Sequence, residues 1–137
     1  MAYWLGIDTP EVWEEAQRKN NNRFGFPEGR RKSVQQINVG DRIINYITKH
    51  RRFFAVWEVT GGYVHDPNQR FAGKVFPECV EAKPILMRSP ERGIERRQTD
   101  DWGVSSVRMS AVRLDDDVGE RILTALQQRE VESTSSR

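Results

Sequence analysis

Between Phe24 and Glu58 the sequence FGFPEGRRKSVQQINVGDRIINYITKHRRFFAVWEV sets a basic run, an aromatic pair and two β-rich segments around one Gly40-Asp41 turn. Residues of these types do binding chemistry on nucleic acid: cations hold phosphates, aromatic faces stack on bases, and strands behind them keep both in place. The inventory for reaction chemistry is poorer. His50 and His65 have no His-x-x-x-His or Cys spacing that would close a metal site, and no Gly-rich phosphate loop is present. Cys79 with His65 and Asp66 would be a conceivable nucleophile and base, but an isolated Cys beside apolar strands reads as a small buried hydrophobe. The Asp115 to Asp117 run is accounted for by capping of the apolar-periodic helix that follows it. The expectation is a binding protein with no catalytic residues, no metal and no cofactor.

The 137 residues fit one domain that buries roughly two thirds of the surface its unfolded chain exposes, so no disulfide or metal staple is required. With 22 Lys and Arg against 20 Asp and Glu, the net charge of +2 is too small for an indiscriminate polycation. Position therefore matters more than total. Bases gather at Arg30 to Lys32, Lys49 to Arg52 and Arg88 to Arg97, and acids at Glu11 to Glu15 and Asp115 to Asp117. Cys79 is the single cysteine, which rules out an internal disulfide and points to a reducing compartment. No basic segment leads into an apolar stretch and no run approaches the ~18 apolar residues of a membrane span, so the expected location is the cytoplasm, away from membranes.

The elements that position these residues follow from pattern. Ala2 to Ile7 suits a central strand, and Thr9-Pro10 starts a helix with Val12, Trp13 and Ala16 on its inner face, ended by Asn20 to Asn22. Arg30 to Gln36 forms a short helix with Val34 and Ile37 inward. Arg42 to Thr48 and Phe53 to Thr60 are strands joined by a Lys49 to Arg52 hairpin, the second apolar on both faces and hence covered on both sides. Gly61-Gly62 is expected to break that strand, and His65 to Gly73 to be a loop. Lys74 to Met87 makes another strand pair, with Pro84 at an edge or bulge. Arg88 to Asp101 reads as a mobile loop, and Val104 to Leu114 as a short strand or turn. Asp117 and Glu120 form a capping box for a last helix, followed from residue 130 by a frayed polar tail. The order implies an α+β domain, over residues 1–129, on a strongly curved, mainly antiparallel sheet.

The ordered set YWLGI, FGFPEGRR, VGDRIINYIT, FFAVWEVT and RMSAVRLDDD resembles the EVE domain, a member of the PUA-like superfamily that also contains the YTH domains. The resemblance covers nearly the whole chain and implies a PUA-like β-barrel flanked by helices. It also implies a non-enzymatic reader of DNA or RNA that takes a flipped, modified (methylated) base into an aromatic-lined pocket, with partners in restriction or RNA-modification pathways.

Carried over residue by residue, the resemblance makes Asp8 and Thr9 candidates for base-edge contacts, with a helix N-cap as the competing role. Phe26 falls near a cage tryptophan of YTH domains, with a core position as its alternative; Phe24 joins it in the expected pocket, and Phe71 falls near a second cage aromatic. Tyr46 matches a recurrent Tyr whose hydroxyl either reaches a base edge or caps a buried polar group. Trp102 either shields the pocket or anchors the basic loop, whereas Trp4 and Trp57 read as core. Arg30, Arg31 and Lys32 are the leading phosphate contacts, followed by Lys49, Arg51, Arg52 and Arg108, each with a solvated surface charge as the alternative. Two other functions stay open: a pocket for a nucleotide-like metabolite, and an interaction or scaffold domain with a vestigial pocket. The oligomeric state is open too, since edge strands permit a dimer without demanding one. A salt titration separates the first two ligand classes: binding through several phosphates should weaken steeply with salt, and binding of a neutral small molecule should stay nearly level.

Overall fold

The computed structural model describes residues 1–19, 21–104 and 107–135, with side chains described to residue 129. The chain runs β1 (Tyr3–Asp8), α1 (Pro10–Lys19), β2 (Arg23–Phe26), the one-turn α2 (Arg31–Val34), β3 (Arg42–Ile47) and β4 (Arg52–His65). It continues through β5 (Arg70–Phe71), β6 (Lys74–Val75), β7 (Glu78–Met87), β8 (Ile94–Glu95), β9 (Val112–Leu114) and α3 (Asp116–Ser135), with 3-10 turns at Pro90–Arg92 and Arg96–Trp102.

Seven strands form one sheet in the order β2-β7-β4-β3-β1-β9, with β8 paired to β4. Only β1 and β3 run parallel; the remaining ladders are antiparallel. The fold is α+β as expected, but the sheet stays open rather than closing into a barrel. Among the described residues no ladder joins β2 to β9, and these edges are short, four and three residues, which limits the unpaired backbone they expose.

Strand period two sorts the core into opposite faces of the central strands. Tyr3, Leu5, Ile44, Tyr46, Phe53 and Val56 pack with Ile94 and with Val118, Ile122 and Leu126 of α3. Trp4, Ile43 and Val59 pack on the other face with Phe24, Phe26, Val34 and Ile37. Covering both faces explains the nearly continuous apolar runs of β3 and β4.

Several expectations are corrected. Gly61-Gly62 does not break β4; the strand continues to His65 across a register shift between Val59 and Tyr63, a bulge that absorbs both glycines. The His65 to Gly73 segment ends in a hairpin, β5 paired to β6. Ala72 and Gly73 both have positive φ, 51° and 77°, as a two-residue type I′ turn requires. Pro84, by contrast, falls at a bulge as expected: Val56 faces Leu86 and Trp57 faces Pro84, so Ile85 is bulged out, and β2 pairs β7 only at Glu78 to Glu81. Arg88 to Asp101 is not a loop without structure: Ile94 is buried in the core and Thr99 is fully enclosed, and 3-10 turns carry no helical or strand period to read. At α3 the helix begins one residue before Asp117, and Glu120 closes no capping box; it accepts a hydrogen bond from the Tyr3 hydroxyl at 2.6 Å. The helix runs to Ser135, through most of the expected tail, whose last two residues, 136–137, lie outside the described residues.

Gly119, in the first turns of α3, lies against the Tyr3 ring: a Cβ there would stand 2.2 Å from Tyr3 Cγ. The ring is pinned, because its hydroxyl also accepts from Arg42 Nη1 at 3.2 Å. Gly119→Ala, which in an unencumbered helix gains about 1 kcal/mol, should here cost about 1–3 kcal/mol through overpacking. Thermal denaturation should show a lower midpoint, and an unchanged or raised one would mean that the ring yields freely.

Candidate nucleic-acid interface

Helix α1 crosses the sheet face that carries Trp4, Ile43 and Val59. Its start is fixed by Thr9, whose Oγ1 accepts from Val12 N–H at 3.2 Å, so the hydroxyl is spent as an N-cap. That start delivers Trp13 onto Phe54, ring centroids 5.3 Å apart and nearly perpendicular, and Val12 onto Phe71 and Phe76. Beside the helix lies the β5–β6 hairpin. Lys19 Nζ donates to Arg70 O at 2.9 Å and stands 5.4 Å from the Phe71 ring centroid, while Glu15 accepts the Ala72 N–H. Gly25 completes the wall, because any Cβ there would lie 2.9 Å from Phe76 Cβ.

Between these elements lies an aromatic cavity bounded by Asp8, Trp13, Phe24, Trp57, Phe71 and Phe76, with Arg23 beside it. Its volume is about 20 Å³, room for about one water molecule. At its base is a buried polar chain. Asn45 Nδ2 donates to Asp8 Oδ2 at 3.1 Å and to Gly6 O at 3.2 Å, and its Oδ1 accepts from Trp57 Nε1 at 3.2 Å. Burial pushes the Asp8 carboxyl up to about 6, against the Asn45 hydrogen bond, which lowers it. The indole N–H of Trp13 is buried without an acceptor, a costly arrangement for a polar group.

Of the residues singled out from sequence, Asp8, Phe24 and Phe71 meet at this cavity. Thr9 is adjacent but occupied as a cap. Phe26 does not stand beside them: it is 0 % exposed in the core with Val34 and Ile37. Tyr46 and Trp102 both pack on the opposite face of the sheet, under α3, because Tyr46 is one residue out of phase with Asn45. Trp13, Phe76, Arg23 and Asn45 were missed, and Trp57, read as core, lines the cavity instead. Phe76 had a signal, since Phe71 and Phe76 bracket the Ala72-Gly73 turn, and Trp13 was legible only as an inward helix residue.

The cations also divide. Arg30 is taken up by the fold: Nε donates to Ser110 O at 2.8 Å, and Nη2 to Ala111 O at 3.1 Å and Ser33 Oγ at 3.0 Å. Arg52 likewise donates to Gly93 O and pairs with Glu95, both at 3.1 Å. Lys49 pairs with Glu11 at 3.0 Å with both side chains largely exposed, a pair of little energetic weight. Lys32, Arg51 and Arg108 are exposed, and Arg108 borders a separate groove with Met109 and Val112 near β9.

Arg31 belongs to a second structure, an open cleft of about 810 Å³ bordered by Glu28, Arg31, Lys32, His65, Pro67 and Pro77. Its floor is the buried carboxylate of Glu78, which accepts from Tyr63 Oη at 2.6 Å, His65 Nδ1 at 2.8 Å and Arg31 Nε at 3.2 Å. Burial pushes that carboxyl up, but the three hydrogen bonds outweigh it and hold the group below the usual range. Cys79, next in sequence, accepts from Gln69 Nε2 at 3.0 Å, and burial pushes its thiol up to about 11, far from a reactive thiolate. Among the described residues no group of three or more His, Cys, Asp or Glu is placed to hold a metal ion.

No curated protein matches the chain, but solved structures share its fold. The crystal structure of the Mmi1 YTH domain is similar with a TM-score of 0.73 and 12% identity, over 96% of this chain and 99% of that one. The YTH domain of Zygosaccharomyces rouxii MRB1 protein, in complex with N6-methyladenosine RNA, is similar with a TM-score of 0.64 and 13% identity, over 90% and 86%. The NMR structure of Rpa0253 from Rhodopseudomonas palustris gives 0.60 and 20% identity, over 93% and 94%. An open, mainly antiparallel sheet with a helix across each face is thus the YTH-like, PUA-like architecture, and the match of residues 2–125 to the EVE domain makes this chain a member of the EVE family.

Proposed function

We propose that the protein is a non-enzymatic nucleic-acid-binding module that takes a flipped, methylated base of DNA or RNA into the cavity between α1, β2 and the β5–β6 hairpin. The observation that carries this reading is the convergence of Phe24, Trp57, Phe71 and Phe76 with one buried acceptor, Asp8, and one unsatisfied donor, Trp13 Nε1. Base edges present donors next to acceptors, so a seated base satisfies both groups at once. Stacking returns about 1–3 kcal/mol per base, against the few kcal/mol needed to unstack it. A buried methyl adds about 0.8 kcal/mol. Likeness to a YTH domain bound to N6-methyladenosine RNA supports the ligand class.

At about 20 Å³ the cavity is closed to a base, and the hairpin is the element that moves. It forms its own two-stranded sheet, held to α1 by side chains of Glu15 and Lys19 and by Phe71 and Phe76 packed on Val12, so displacing it breaks no ladder of the main sheet but parts that apolar contact. Of the cations singled out from sequence, Lys32, Lys49, Arg51 and Arg108 are exposed and placed for phosphates, whereas Arg31 is spent on Glu78.

Phe71→Ala should weaken binding of an oligonucleotide carrying the preferred modified base about 10- to 100-fold, the loss of one stack, as read by fluorescence anisotropy. Equal loss for modified and plain strands would remove Phe71 from the pocket. Phe26→Ala should instead destabilise the fold by about 3–5 kcal/mol in urea unfolding.

Asp8 sets a pH dependence of stability. Its folded-state value of about 6 lies above the ordinary 3.8, so its contribution is fully present below about pH 4 and is lost as pH rises through about 6. The loss is on the order of 3 kcal/mol. Asp8→Asn should therefore gain stability relative to the unsubstituted protein across that window in urea unfolding. A flat difference would mean that Asp8 is already ionised at about pH 4.

A further inference from the structure

We propose that the open cleft over Glu78 seats the nucleotide next to the one in the aromatic cavity, taking its base and ribose, so that the protein reads sequence context beside the modified base. This rests on the reading of the aromatic cavity as the base pocket.

The two sites share their walls. Gly25 borders the cavity and Glu28 the cleft, and of the consecutive residues Phe76 and Pro77 the first borders one and the second the other. Strand β2 leads from one to the other, at about 3.3 Å per residue. The Arg23–Asp66 ion pair, at 3.1 Å, lies between them: Arg23 borders the cavity, and Asp66 sits between the cleft residues His65 and Pro67. A strand with one base in the cavity therefore passes its neighbour over the cleft.

The cleft's chemistry favours a base over a bare phosphate. Arg30 is turned to the Ser110 and Ala111 carbonyls, and Arg31 is neutralised by Glu78, leaving Lys32 set against Glu28. That leaves little net positive field. What the cleft does offer is flat surface and direction: Pro67, Pro77 and the His65 ring, whose side chain is 40% exposed. Imidazole and guanidinium planes both stack on bases. The Glu78 carboxylate can only accept, so His65 Nδ1 is the donor between them. Arg31 Nη2 lies against the same ring, 3.2 and 3.4 Å from its two nitrogens. Both side chains are thus held in place before any ligand arrives, and 810 Å³ falls in the range of small-molecule sites.

The test uses single-stranded RNA and DNA pentamers centred on adenine, N6-methyladenine, cytosine or 5-methylcytosine. The tightest binder is remade with an abasic residue on one side or the other of the centre, which removes the neighbouring base and keeps every phosphate. For the unsubstituted protein one of the two abasic pentamers should bind about 10-fold more weakly in fluorescence anisotropy, and in His65→Ala that penalty should shrink to less than about 2-fold. The oligonucleotide arm needs no variant, so a folding defect in His65→Ala leaves it decisive. A modified pentamer that binds well and loses nothing with either abasic neighbour would overturn this inference alone. Failure of every pentamer, whatever its centre, would overturn the base-pocket reading and this inference with it.

Discussion

The hydrogen bond from Asn45 to Asp8 is the constraint around which the site is arranged. Asp8 ends β1, and Asn45 sits on the parallel neighbour β3, where Gly6 is its register partner. The parallel pairing puts Trp4, Gly6 and Asp8 on one face with Ile43, Asn45 and Ile47. Asn45 then binds three groups at once: the Asp8 carboxylate, the Gly6 carbonyl and the Trp57 indole. A carboxylate so deeply buried is held with one side-chain hydrogen bond where a purely structural one, Asp41, accepts from Ala2 N, Asn38 N and Trp4 Nε1. Asp41 is held below the usual carboxylate range and Asp8 above it. The fold supplies the first with three donors and the second with one side-chain donor, so Asp8 keeps acceptor capacity that the fold does not use.

Much of the fold was legible because local signals agreed. Thr9-Pro10, the two-faced apolar strands and the Lys49 to Arg52 connection each have a single physical solution, and the structure adopts it. The site was less legible. Tyr46 and Asp8 are near in the chain's logic but lie on opposite sheet faces, a distinction set by the register of β1 against β3, which no single segment encodes. Phe24 and Phe26 share a face and a core cluster, yet only Phe24 also borders the cavity, a difference of position along β2 that residue type does not reveal. Charge misled in the same way. Arg30 and Arg52 read as free cations, but carbonyl oxygens more than 40 residues away in sequence hold them, and such partners have no local signature.

The Glu78 node shows how a small domain makes a rigid surface without a disulfide. Three donors from α2 and β4 converge on one carboxylate of β7, so the buried charge is compensated and its donors lose rotamer freedom together. The β5–β6 hairpin is the contrast. Its polar ties to α1, from Glu15 and Lys19, lie near the surface, and Phe71 and Phe76 seat it on Val12. A charged node anchors the cleft, and an apolar contact anchors the hairpin.

Tyr3 and the start of α3 have a consequence for how the protein is made. The ring that fills the space at Gly119 and the hydroxyl that reaches Glu120 join positions 117 residues apart. Leu5, Ile44, Val56 and Phe53 gain part of their cover from that distant helix and part from Ile94 and Val104. A nascent chain that has not yet made its last helix lacks that cover, so apolar surface of β1, β3 and β4 stays exposed until α3 docks.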